Sequence, residues 1–198
     1  VESRNLTRQA LTLVTAGSPV RPFVLGLIGF SCTMRNQLRG QKATIGTDGL
    51  LPDDVCRQLI SARSAPTLVL LWLGRQLQGW REARRLDPML AQKMESSLDA
   101  LSLALGSCER IANTPLPFAY SVVLHRSVYL YCALWPFGLV DSIGLMTPLV
   151  VSFVSYTFFA LEALSDEIED PFGLADNDLA LDAIVASVHA SLLEMLGE

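Results

Sequence analysis

Two apolar runs that meet at a single turn constrain this chain more than any other feature. Residues 116–140 hold 25 positions and one arginine, Arg126, while residues 142–161 hold 20 positions and no charge. Each reaches the about 20 residues that a helix needs to cross hydrocarbon. A connection of only residues 141–144 makes the pair an antiparallel hairpin. Every Lys and Arg except Arg126 precedes the hairpin, and the turn carries none. The positive-inside tendency therefore puts both ends of the hairpin in the cytoplasm and the turn outside. The competing arrangement is a pair of core helices in a large soluble bundle.

His125 and Arg126 are the awkward residues of the first run. A charge at the centre of a span costs about 2.5–3.5 kcal/mol unless it faces a partner, the bundle interior or water. These two side chains thus need an interhelical hydrogen bond, an acid, or a water-lined path. Tyr120, Tyr129, Tyr131 and Trp135 read as packing residues or interface anchors.

Charge is distributed unevenly around the hairpin. The chain is 51% hydrophobic and 18% charged, against about 25% charged in an ordinary soluble domain. Residues 1–140 hold all 15 Lys and Arg with 9 acids, a balance of +6; residues 141–198 hold 11 acids and no Lys or Arg, a balance of -11. Such asymmetry predicts that the two parts face each other, within one chain or between copies. It argues against nucleic acid as the partner, because phosphate contacts need surplus cations.

Upstream, residues 1–16 read as the end of a helix, and residues 22–34 as a buried helix too short to span a bilayer. Residues 40–52, with three glycines, form a loop. A short helix covers residues 53–61, and Pro66 opens the next, which turns basic at Arg75, Arg81, Arg84 and Arg85. Met94, Leu98, Leu101 and Leu105 then mark one buried stripe, ending near Gly106. Three regions result: a mainly cytosolic helical region at 1–110, the hairpin at 111–164 with spans at about 117–140 and 145–161, and an acidic cytosolic C-terminal segment at 165–198. The fold class is all-α.

Cys32, Cys56, Cys108 and Cys132 form no CxxC pair and read as buried thiols. There is no GxGxxG, Walker loop or HExxH, so no enzyme activity and no cofactor are expected. A membrane-embedded hydrolase using His125 would require a nearby nucleophile.

The segments CERIANTPLPFAYSVVLHRSVYLYCALWPFGLV, MTPLVVSFVSYTFFALEALSDEIEDPFG and NDLALDAI resemble the bestrophin ion channels, specifically their bacterial branch. VESRNL resembles the end of that family's long second helix, and the likeness extends over nearly the whole chain. One departure is Ala180, where bacterial relatives usually carry proline. The resemblance implies a homopentameric, multi-pass channel of the cell membrane that conducts monovalent ions. Chloride and other anions are expected by family, with cation selectivity the alternative. Its partners would be copies of itself, the ions and the lipid bilayer. It also implies that the first span and the apolar pore neck lie upstream of Val1, so that the chain is a fragment. A non-conducting, membrane-associated helical scaffold is the rival reading.

Site residues follow from the same resemblance. The start of a helix at RRLDPMLAQ aligns Met89 with the family's cytosolic aperture residue; its alternative role is core packing. A ring of five thioethers would form a narrow constriction that resists wetting. The family's calcium clasp maps onto the backbone carbonyls of Glu167 and Asp170 and the carboxylate of Asp178. The other side-chain ligand position is Ala175, which cannot bind calcium, so no metal is expected to bind tightly. Glu162, Asp166 and Glu169 share one helical face and are expected to form an acidic belt against the basic part of the same or a neighbouring subunit.

Overall fold

The computed structural model describes all residues except Ala16, 115–117, Asp170 and Asp176, and only the backbone of Phe118, Ser121, Asp166 and Glu169. Every regular element among the described residues is helical. The chain divides into two units, Val1–Ile111 with Ala180–Glu198, and Ala112–Leu179.

The first unit is organised by α2, Arg21–Leu38, whose start is fixed by a proline in its first turn. Every residue from Phe23 to Phe30 is buried, so apolar side chains point into protein on all sides of the helix. The uncharged segment is thus wrapped by protein. It packs on α1 (Glu2–Leu13), α4 (Ala65–Glu82) and α8 (Leu181–Leu196). Two glycines allow this closeness. A Cβ on Gly26 would lie 2.3 Å from Trp72 Cζ3, and one on Gly29 would lie 2.9 Å from Leu51 Cγ.

Helix α3, Asp53–Ser61, has the bounds that the sequence predicts. Helix α5, Pro88–Asn113, does not end near Gly106. A single glycine costs a helix about 1 kcal/mol relative to alanine, too little to stop it. The helix runs instead to within one residue of Thr114-Pro115, where proline disfavours a helical predecessor. Its predicted stripe is real: Met94, Leu98, Leu101 and Leu105 are all buried.

The residues expected to form one C-terminal segment divide between the units. Residues 171–179 group with the hairpin, and α8 groups with the first unit, where Val185 and Leu192 join its core.

The second unit is the hairpin. Helix α6, Phe118–Ile143, meets α7, Thr147–Glu169, through a 3-10 turn at Gly144–Met146. At about 1.5 Å per residue, 26 and 23 residues are long enough to cross hydrocarbon about 30 Å thick. The apolar stretch Val122–Ser165 runs through both helices, and only 6% of its most apolar window is buried within the protein. A soluble core pair would be covered. Leu130, Phe137, Leu149 and Phe153 instead point away from the protein, each more than half exposed.

Candidate functional site

The polar centre of the hairpin joins its two helices. Glu162 on α7 pairs with His125 on α6 through the carboxylate Oε1 and the imidazole Nδ1. The Glu162 side chain is 8% exposed and that of His125 57%. The His125 ring lies 4.6 Å from that of Tyr129, which lies 5.2 Å from Phe159 back on α7. A ladder of four side chains thus stitches the helices where the uncharged run of α7 ends. The acid that His125 needs is supplied by the hairpin itself. Its identity was legible: His125 and Glu162 each stand 18 residues from the Ile143–Gly144 junction. Arg126 is exposed and takes no part in this pairing.

The three expected belt residues do not share this surrounding in any described way. Glu162 is occupied by His125, and the side chains of Asp166 and Glu169 lie outside the described residues. The acid-to-base matching predicted by the charge asymmetry occurs at α8. Asp182, in its first turn, accepts hydrogen bonds from Arg35 at 3.0 Å and Arg39 at 2.5 Å. The Arg39 hydrogen bond, aided by the charges of both arginines, holds the Asp182 carboxyl below its ordinary range. At the other end of α8, Glu198 pairs with Arg21 at 2.6 Å, which lowers the Glu198 carboxyl in the same way. Asp182 and Glu198 carried no motif signal, so only their three-dimensional neighbours single them out.

Met89 sits in the first turn of α5, where its N–H donates to Asp87 Oδ1 at 2.8 Å. Its side chain is 82% exposed, which excludes the core-packing role within one chain. Beside it, a cleft of about 750 Å³ runs between α4 and α5. Arg75 and Arg81 line it from α4, and Glu95 and Asp99 from α5. Burial and then the neighbouring Asp99 push the Glu95 carboxyl up, with Arg81 opposing them.

The loop at residues 171–179 is closed on itself. Leu179 N–H donates to the Pro171 carbonyl at 2.9 Å. Ala175 N–H donates to Asp178 Oδ2 at 2.6 Å, and Asp178 N–H returns to the Ala175 carbonyl at 3.0 Å. The one described clasp carboxylate is therefore engaged by its own loop. Glu167 is exposed and Asp170 lies outside the described residues. Among the described residues no three His, Cys, Asp or Glu converge as metal ligands. The four cysteines are free, and burial raises the thiols of Cys32, Cys56 and Cys108, which suits packing rather than reactivity.

A sequence profile of bacterial and fungal bestrophin proteins matches residues 1–194. The chain belongs to the bestrophin family. A voltage-dependent anion channel-forming protein of Ralstonia nicotianae is 40% identical over 200 residues, covering 100% of this chain and 65% of its own length. One of the same description from Escherichia coli, YneE, is 37% identical with the same coverages. The chain thus spans 65% of the length of these curated relatives. Among solved structures, a bestrophin homologue from Klebsiella pneumoniae superimposes with a TM-score of 0.94 at 38% identity, covering 100% of this chain and 74% of that one. The helical architecture is that of bacterial bestrophins, and the chain is a membrane protein by kinship.

Proposed function

We propose that this bestrophin chain is a subunit of a homopentameric, multi-pass channel of the cell membrane that passes monovalent ions, with anions preferred. The observation that carries the reading is the hairpin: two helices of spanning length, uncovered by protein, with their buried Glu162 side chain paired to an imidazole of the same hairpin. A scaffold held only at the membrane surface has no use for such a hairpin. Anion preference rests on the description of the relatives as anion channel-forming proteins. It also accords with the engagement of Asp182 and Glu198 by arginines, which removes them from any cation-attracting field.

In this reading the hairpin turn lies outside the cell and residues 1–110 form a cytosolic vestibule. Met89 contributes one of five thioethers to a cytosolic constriction, where its exposure on the first turn of α5 leaves it available to a symmetry axis. Glu167, Asp170 and Asp178 correspond to the clasp positions, and with Ala175 among them and the Asp178 carboxylate engaged by the Ala175 N–H they hold no metal tightly. The shared helical spacing of Glu162, Asp166 and Glu169 supports an acidic belt along α7 in the assembly.

The experiment is reconstitution of the full-length protein in planar bilayers under a salt gradient. The reversal potential is expected to move toward the anion equilibrium potential. Met89→Ala is expected to raise conductance or relax selectivity with the pentamer intact. Absence of any current, with the protein extracted from membranes by high salt alone, would favour the scaffold.

A further inference from the structure

The turn that leads into Met89 contains Arg84, which among the described residues is the one non-glycine with a left-handed backbone, at φ 56°. It terminates α4. Its N–H donates to the Arg81 carbonyl at 3.0 Å, and the next N–H, of Arg85, reaches back to the Trp80 carbonyl at 2.8 Å. Glycine is the usual residue at such a helix end, because it takes this conformation without a Cβ penalty. An arginine standing there is accounted for by its side chain and not by its backbone.

Nothing within the chain uses that side chain. Residues 81–85 are all exposed, and Arg81, Arg84 and Arg85 make no ion pair or side-chain hydrogen bond among the described residues. Two acids share the turn, and both are engaged. Glu82 Oε1 accepts from Gln78 at 2.8 Å, and Asp87 Oδ1 accepts from the Met89 N–H at 2.8 Å. Three arginines against two acids leave residues 81–89 at +1, so five copies carry +5. The turn is also anchored. The Arg85 carbonyl accepts from Thr15 N–H at 2.9 Å and from Thr15 Oγ1 at 3.0 Å, and Leu86 is buried. Arg84 and Met89 thus stand at the two ends of one fixed link between α4 and α5. Five residues keep their Cα atoms within about 18 Å even at full extension, and this link is a turn.

We propose that Arg84 selects for anions at the constriction to which Met89 contributes, five guanidinium groups placing positive charge at the mouth of an uncharged thioether ring. This rests on the pentameric channel with Met89 at its cytosolic constriction proposed above. The two residues divide the work. Thioethers narrow the passage and resist wetting but do not distinguish the sign of an ion. The arginines raise the local concentration of anions and lower that of cations. An arginine that only complemented the negative end of α4 would support the helix without touching permeation.

The test is the reversal potential of the full-length protein in planar bilayers under a potassium chloride gradient, together with its melting temperature in detergent. Arg84→Gln removes the charge, Arg84→Gly removes the charge and the backbone cost, and Arg84→Lys keeps the charge. The first two should each lower the chloride-to-potassium permeability ratio by about three- to tenfold at 0.15 M salt, and Arg84→Lys should preserve it. The loss should shrink toward 1 M salt, where the Debye length falls to about 3 Å. Arg84→Gly should nevertheless melt no lower than the parent. Unchanged ratios in both charge-removing variants, in a channel that Met89→Ala still alters, overturn the role of Arg84 and leave the channel reading intact. A conducting parent that responds neither to Met89→Ala nor to the Arg84 variants overturns the placement of the constriction, and the role of Arg84 with it. A parent that passes no current overturns the channel reading itself.

Discussion

Replacing His125 by alanine should destabilise the hairpin more than replacing Glu162 by glutamine, although the two residues form one pair. The reason is their unequal burial. Glu162 is 8% exposed and His125 57%. Glu162 Oε1 makes no hydrogen bond among the described residues and meets only the His125 imidazole as an ion pair. His125→Ala leaves a carboxylate enclosed and unpaired. Breaking a fully buried pair costs about 3–5 kcal/mol; with one member half solvated, about 2–3 kcal/mol is the reasonable scale. Glu162→Gln keeps the shape, removes the charge and leaves the imidazole access to water, a loss of about 1 kcal/mol. Once glutamine is present, removing the imidazole leaves only a neutral amide behind. The double variant should therefore be more stable than His125→Ala alone. Thermal unfolding of the full-length protein in detergent completes the double-mutant cycle. If Glu162→Gln proves the costlier single change, or if the two losses simply add, the pair does not hold the hairpin together.

Gly26→Ala should cost about 1–3 kcal/mol by overpacking, because its Cβ would meet the Trp72 ring at 2.3 Å. Gly74→Ala, with nothing within 4 Å, should instead stabilise by about 0.4–1 kcal/mol. Asp182 has a lowered carboxyl pKa, so its contribution is present above the unfolded value and disappears as pH falls through the folded one. Asp182→Asn should thus be less stable than the parent at neutral pH and converge with it in acid, as followed by melting temperature against pH. Micromolar calcium should leave single-channel currents unchanged, given Ala175 and the self-closed Asp178; steep activation would show that the ligands lie elsewhere.

Periodicity and length made most of the fold legible. The bounds of α3, the stripe of α5 and the hairpin all follow from local pattern, because each is decided by residues close in sequence. What escaped was decided at a distance. The docking of α8 on α1 and α2 brings Asp182 beside Arg35 and Arg39, more than 140 positions away, and no spacing rule reaches that far. The end of α5 escaped for a smaller reason: Gly106 weakens a helix without ending it. Of the candidate site, the need of His125 for a partner was plain from hydropathy. The choice of Glu162 required the register of the hairpin, which the turn position supplies.

The opening imbalance of charge takes a different meaning once its members are located. A surplus of eleven acids in residues 141–198 looks like a field for drawing cations. Yet Glu162, Asp182 and Glu198 are each matched to a named base, and Asp178 to a backbone N–H. Acids matched in this way act over short range and contribute little to a potential along a pore. These four acids fasten the C-terminal part, to the first unit through α8, across the hairpin through Glu162 and within its own loop through Asp178. In the proposed channel, ion preference would instead arise where unpaired groups or apolar rings meet the permeating ion, the place proposed above for Met89.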